Sequence, residues 1–112
     1  MKKLDRLTDQ PKQRYSVPLD DGGTFTIELI YLARPQLWMM NIAQGDFKLN
    51  GVVMTTYPNL LRQYKNLIQF GLMVVTADGT DPMYLDDFVT GRVGLYQLEQ
   101  DDVDYIEREI FA

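Results

Sequence analysis

Thr24-Phe25-Thr26-Ile27-Glu28-Leu29-Ile30-Tyr31-Leu32 is the stretch from which the fold is read. Phe25, Ile27, Leu29 and Tyr31 fall on one side of an extended chain, and Thr24, Thr26 and Glu28 on the other. That two-residue period belongs to a strand with one buried face, and the β-branched residues suit a pleated surface. Just before it, Asp20-Asp21-Gly22-Gly23 supplies residues that accept tight-turn geometry, and Tyr15, Val17 and Leu19 alternate on the far side. The segment predicts a β-hairpin.

Working outward, Arg34-Pro35-Gln36 closes the strand, since proline cannot donate to a ladder. A second hairpin follows. Trp38, Met40 and Ile42 share one face of 37–43, Gln44-Gly45-Asp46 turns the chain, and Phe47 and Leu49 alternate with Lys48 and Asn50. Gly51 inside this last strand predicts a bulge or a close backbone contact. Pro58 suits a first helical turn, and Leu60, Leu61, Tyr64, Leu67 and Ile68 recur at helical spacing, so a short helix is expected over 58–66. Phe70 to Thr76 is apolar at nearly every position and is expected to be a central strand buried on both faces. The turn formers and acids of Ala77 to Thr90 predict a long surface loop, and Val93 to Leu98 a last strand. Asp101, Asp102 and Asp104 cluster where helix N-terminal N–H groups favour anions, and Val103, Ile106 and Ile110 recur at i, i+3, i+7, which predicts an amphipathic helix over about 102–110. The expected fold is mainly β. It is a small antiparallel barrel or sandwich of about six strands, with one short internal helix and a C-terminal amphipathic helix. Phe25, Ile27, Leu29, Trp38, Met40, Ile42, Phe47, Leu49, Leu72, Val74, Val93 and Leu95 are its expected core, with Trp38 central.

At 112 residues the chain holds one domain, and 46% hydrophobic with 24% charged residues is ordinary globular usage. Residues 1–13 show no period and are expected to form a basic arm, flexible or docked on a partner, ahead of a single domain over 14–112. The longest apolar run is Leu29 to Ala33, and no apolar core follows the basic start, so neither a membrane span nor a secretory leader is expected.

Cys and His are both absent. That removes disulfides, thiolate nucleophiles, Cys-ligated metals, the commonest general base and the commonest transition-metal ligand. The acids of the 77–90 loop fail the alternating pattern of a calcium loop, because Thr80 and Pro82 occupy the positions that follow Asp78 at steps of two. Phosphate-cradle and nucleophile-elbow motifs are missing too. No catalytic residue, metal ligand or cofactor site is expected, and no small-molecule substrate. The net charge of −5 conceals a gradient: residues 1–14 sum to +3, 15–77 to zero, and 78–112 to −8. Oppositely charged ends can attract within a chain or between copies. Only four basic side chains in 15–77 argue against nucleic-acid binding.

Interaction candidates follow from the same reading. Lys2, Lys3 and Arg6 carry the basic head. Leu37 and Met39 lie on the strand face opposite Trp38, and Ile106 and Ile110 belong to a helical stripe that can dock on the sheet or on a neighbour. A protein of this kind acts through its surfaces. An alternative is an inhibitor whose acidic tail mimics nucleic acid toward a host enzyme; an enzyme built on Asp86 and Asp87 is a remoter third.

The ordered features resemble the baseplate plug proteins of contractile-tailed bacteriophages. They are a hairpin with a polar turn, the Trp38-Met39-Met40-Asn41-Ile42 strand, Asn59-Leu60-Leu61-Arg62-Gln63-Tyr64, Leu72-Met73-Val74-Val75, an Asp-rich loop from Asp78 to Asp87, and Gly94-Leu95-Tyr96-Gln97-Leu98 before an acidic helix. The resemblance covers about 14–105 and leaves the arm and the tail past Glu107 outside. It implies a structural subunit of the virion, present in several copies at the tail baseplate near the hub. It also implies hub, spike and tube components as partners, the host cytoplasm before assembly, and no catalytic residues.

Overall fold

The computed structural model describes residues 1–111; Ala112, the last residue of the expected 14–112 domain, lies outside them. Among the described residues seven strands form two antiparallel sheets that are not closed into a barrel. One sheet has the order β2 (Lys12–Pro18), β3 (Thr24–Leu32), β4 (Leu37–Gln44), β5 (Phe47–Val53). The other has the order β1 (Lys2–Lys3), β7 (Val93–Leu98), β6 (Gly71–Thr76). Val17, Phe25, Ile27, Leu29, Trp38, Met40 and Ile42 from the first sheet meet Leu72, Val74, Val93 and Leu95 from the second, all buried. Period-2 patterning thus yields a two-layer sandwich. Trp38 is fully buried, edge-on to Phe88 at 5.0 Å, and its indole Nε1 donates to the Tyr84 carbonyl at 3.0 Å.

Phe47 and Leu49 are only half-buried, contrary to expectation, because β5 is an edge strand; Phe47 leans on Tyr64 at 5.6 Å instead. Their place in the core goes to Leu19, Met54, Leu61, Ile68 and Phe70, which come from connecting segments, with Phe70 stacked on Phe25 at 4.3 Å. The Gly51 bulge is present. Ile42 faces Leu49 and Met40 faces Val52, so Asn50 and Gly51 together oppose Asn41. Gly51 sits at φ +76°, and its N–H donates to the Asn41 Oδ1 at 2.9 Å. The extra residue keeps both Leu49 and Val52 inward and turns Val53 out.

The helix expected over 58–66 is a short 3₁₀ turn, Arg62–Tyr64. Its cause is Asn59, whose buried Oδ1 accepts the N–H groups of Leu61 (3.0 Å) and Leu72 (3.3 Å) while Leu60 N–H donates to the Leu72 carbonyl at 2.8 Å. A segment tied to β6 at its first turn closes by tight i to i+3 bonds instead of extending. Gly71 is required there, since a Cβ would lie 2.5 Å from the Asn59 Oδ1. The strand that follows, β6, is at a sheet edge, not in the centre; β7 is central. Leu72 and Val74 point into the core and Met73 lies in the cluster under the C-terminal helix, but Val75 is exposed.

The expected surface loop over 77–90 contains a short helix, α1 (Asp87–Thr90). The C-terminal helix α2 (Gln100–Glu109) starts two residues earlier than expected, where Glu99 N–H donates to the Asp102 carboxylate at 3.1 Å. Residues 1–13 are seated on this chain's own sheets. Lys2 and Lys3 pair with Gln97 and Tyr96 of β7, and Leu4 N–H donates to the Leu95 carbonyl at 2.8 Å. Leu4 and Leu7 pack on the core, and the Arg6 guanidinium reaches the Ser16 carbonyl at 3.0 Å. Two isolated leucines and an otherwise unpaired β7 edge are enough to hold a segment without periodicity.

Candidate interaction surface

The sheets differ on their outer sides. Both helices pack on β7, and Val103 and Ile106 of α2 are buried with Leu98 against Met73 and Phe111. On the four-stranded sheet, pairing places Lys12, Ile30, Met39 and Val53 in one outward row, with Leu32 beside Leu37 next to it and Arg14, Glu28 and Asn41 on its other side. Ile30, Leu32, Leu37 and Met39 are half-buried by strand neighbours, Val53 is 43% exposed, and none of the five belongs to a buried cluster. Lys12 and Arg14 border this apolar surface, with Glu28 3.9 Å from Lys12.

A second apolar surface stands on the acidic loop. Tyr84, Leu85 and Val89 are exposed, and Asp86 beside them is free of side-chain bonds at the start of α1. The loop is clamped from within. The Arg92 guanidinium grips both Asp87 carboxylate oxygens at 2.8 and 2.7 Å, Asp78 at 2.9 Å and the Asp81 carbonyl at 3.0 Å. Asp87 also accepts the N–H groups of Met83 and Tyr84, each at 2.8 Å. Burial pushes the Asp87 carboxyl up, but the Arg92 bonds and these two N–H groups outweigh it and hold it below the ordinary carboxylate range. Asp78 is lowered by the Thr80 hydroxyl and N–H and by Arg92, and Arg92 is raised, chiefly by Asp87. These carboxylates are spent on the loop itself; among the described residues no group of three acids gathers as a metal site.

The candidates from sequence are placed as follows. Leu37 and Met39 share the outward apolar surface. Lys2, Lys3 and Arg6 lie together beyond the β7 and β2 edges, with Lys2 ion-paired to Asp20 and Arg6 over the Tyr15 ring at 5.7 Å. Ile106 is only 7% exposed and docks with Val103 on its own sheet, one of the two places open to that stripe; Ile110 is exposed. Sequence reading missed Ile30, Leu32 and Val53, although Ile30 and Leu32 share the parity of Glu28. It also missed Leu85 and Val89, spaced i, i+4 inside an acidic stretch. A groove of about 400 Å³ beside Val53 is lined by Tyr57, Arg62 and Lys65, whose cations are both held by Glu107 at 2.8 and 3.8 Å.

A family model described as "Cyanophage baseplate Pam3 plug gp18" matches residues 1–100. The match takes in the N-terminal segment that the resemblance read from sequence had left out, and it ends where α2 begins. No curated protein matches the chain.

Proposed function

Because this chain belongs to the family of the cyanophage baseplate plug, we propose that it is a structural subunit of a contractile tail baseplate that works through protein interfaces and catalyses nothing. The observation that carries this reading is the family match over residues 1–100. The outward row of Ile30, Met39 and Val53 supports it, because an apolar surface left bare by its own chain marks a place for a partner. Hub, spike and tube components are the partners of this reading, the virion its destination and the host cytoplasm its route. The acidic tail suits this reading better than nucleic-acid mimicry. Asp78 and Asp87 are held by Arg92, Asp102 by the N-terminal amine at 2.7 Å, and Glu107 by Arg62 and Lys65, so four of the ten acids in 78–112 are spent inside the fold.

Composition of purified tails tests the role. The protein is expected in tail particles by mass spectrometry, and a deletion strain is expected to assemble defective baseplates. Its absence from particles, with normal tails in the deletion strain, would refute the reading.

A further inference from the structure

The chain leaves two apolar surfaces bare, and their borders carry opposite charge. On the outer face of the four-stranded sheet, Ile30, Leu32, Leu37, Met39 and Val53 are bordered by Lys12 and Arg14 against the single acid Glu28. On the loop, exposed Tyr84, Leu85 and Val89 are bordered by the exposed Asp81 and Asp86. We propose that the sheet face of one copy of this chain seats the Tyr84, Leu85 and Val89 surface of a second copy.

Charge selects this pairing over the two symmetric ones. Sheet face against sheet face sets Lys12 and Arg14 beside their own kind, and loop against loop sets Asp86 near Asp86. Each of those contacts brings like charges together as water leaves, whereas the unlike pairing sets Lys12 and Arg14 near Asp86. The loop also needs little ordering on docking. Arg92, bonded to Asp87, Asp78 and the Asp81 carbonyl, already fixes it, and Trp38 and Tyr31 anchor its Tyr84 and Met83 carbonyls at 3.0 and 2.8 Å. A contact between two different surfaces of the same chain repeats from copy to copy, and closes into a ring where the rotation per copy permits.

The chain contains no cysteine, so single cysteines report contacts without interference. Full-length Met39→Cys and Val89→Cys chains are mixed, oxidised and separated. The inference predicts disulfides between the two variants and few within either one. Disulfides formed mainly between identical Met39→Cys chains would overturn it, and so would a chain that stays monomeric in sedimentation at about 1 mM. A charge swap gives an independent reading. Lys12→Glu with Arg14→Glu is expected to weaken self-association about tenfold, and adding Asp86→Lys is expected to restore it. Weakening without rescue would count against the pairing, and circular dichroism melts confirm that each variant is folded. A monomeric outcome leaves the baseplate role standing, since tail composition tests that separately.

Discussion

Leu98 and Met73, facing outward from the three-stranded sheet, are packed beneath Val103, Ile106 and Phe111. Ile30, Met39 and Val53 face outward from the four-stranded sheet and belong to no such cluster. Both sheets carry apolar side chains on their outer sides, and what separates them is the chain that follows. After β7 the polypeptide continues directly into an amphipathic helix that folds back over the sheet, whereas β5 leads away into the segment tied to β6 by Asn59. Apolar area contributes to folding only where the chain itself removes it from water, and elsewhere it remains available to a partner. A covered face therefore carries stability, and a bare one is left open to a partner.

The largest expected effect lies between the faces. Trp38→Ala, which also frees the Tyr84 carbonyl, is expected to cost about 3–5 kcal/mol and leave little soluble folded protein. A melting temperature within a few degrees of wild type would mean that the sandwich interior is misassigned. Next, on the covered face, Ile106→Ala is expected to cost about 2 kcal/mol, the low end for a buried aliphatic, read as a lower urea midpoint with an unchanged slope.

Asp87→Asn tests the clamp that holds the loop to the sandwich, and a loss of about 1–2 kcal/mol near neutral pH is expected from its weakened bonds to Arg92. Its pH signature has a definite sign. Asp87 and Asp78 both have carboxyls lowered in the folded chain, so below about pH 4 the unfolded chain binds more protons and stability falls. The melting temperature is expected to hold down to the ordinary carboxylate range and to decline as pH falls further, with a shallower decline in Asp87→Asn. An equal slope in the two proteins would remove Asp87 from the account.

On the bare face the expected effect on folding is the smallest. Met39→Ala is expected to change the stability of the isolated chain by no more than about 0.5 kcal/mol, while weakening incorporation into tails. A loss as large as that of Ile106→Ala would erase the distinction between the faces.

Both hairpins, the Gly51 bulge and the inward side of Trp38 were legible because period 2 and turn chemistry are local. The amphipathic C-terminal helix was legible for the same reason, through its own stripe. What stayed hidden depends on contacts remote in sequence. Asn59 reads as an ordinary polar residue until Leu72 lies beside it, and Asp87 reads as one more loop acid until Arg92 reaches it. Leu4 and Leu7 have no period to announce that β7 offers them an edge. Of the bare surface, Leu37 and Met39 could be named from their own strand. Val53 could not, since only the bulge turns it outward.

A reconstruction of the assembled tail by electron microscopy addresses the two-face account most directly. The account predicts this chain in the baseplate with Ile30, Met39 and Val53 covered by a neighbouring protein and Ile106 still beneath its own helix. A baseplate in which those three side chains face open solvent, or a tail that lacks the chain, would contradict it.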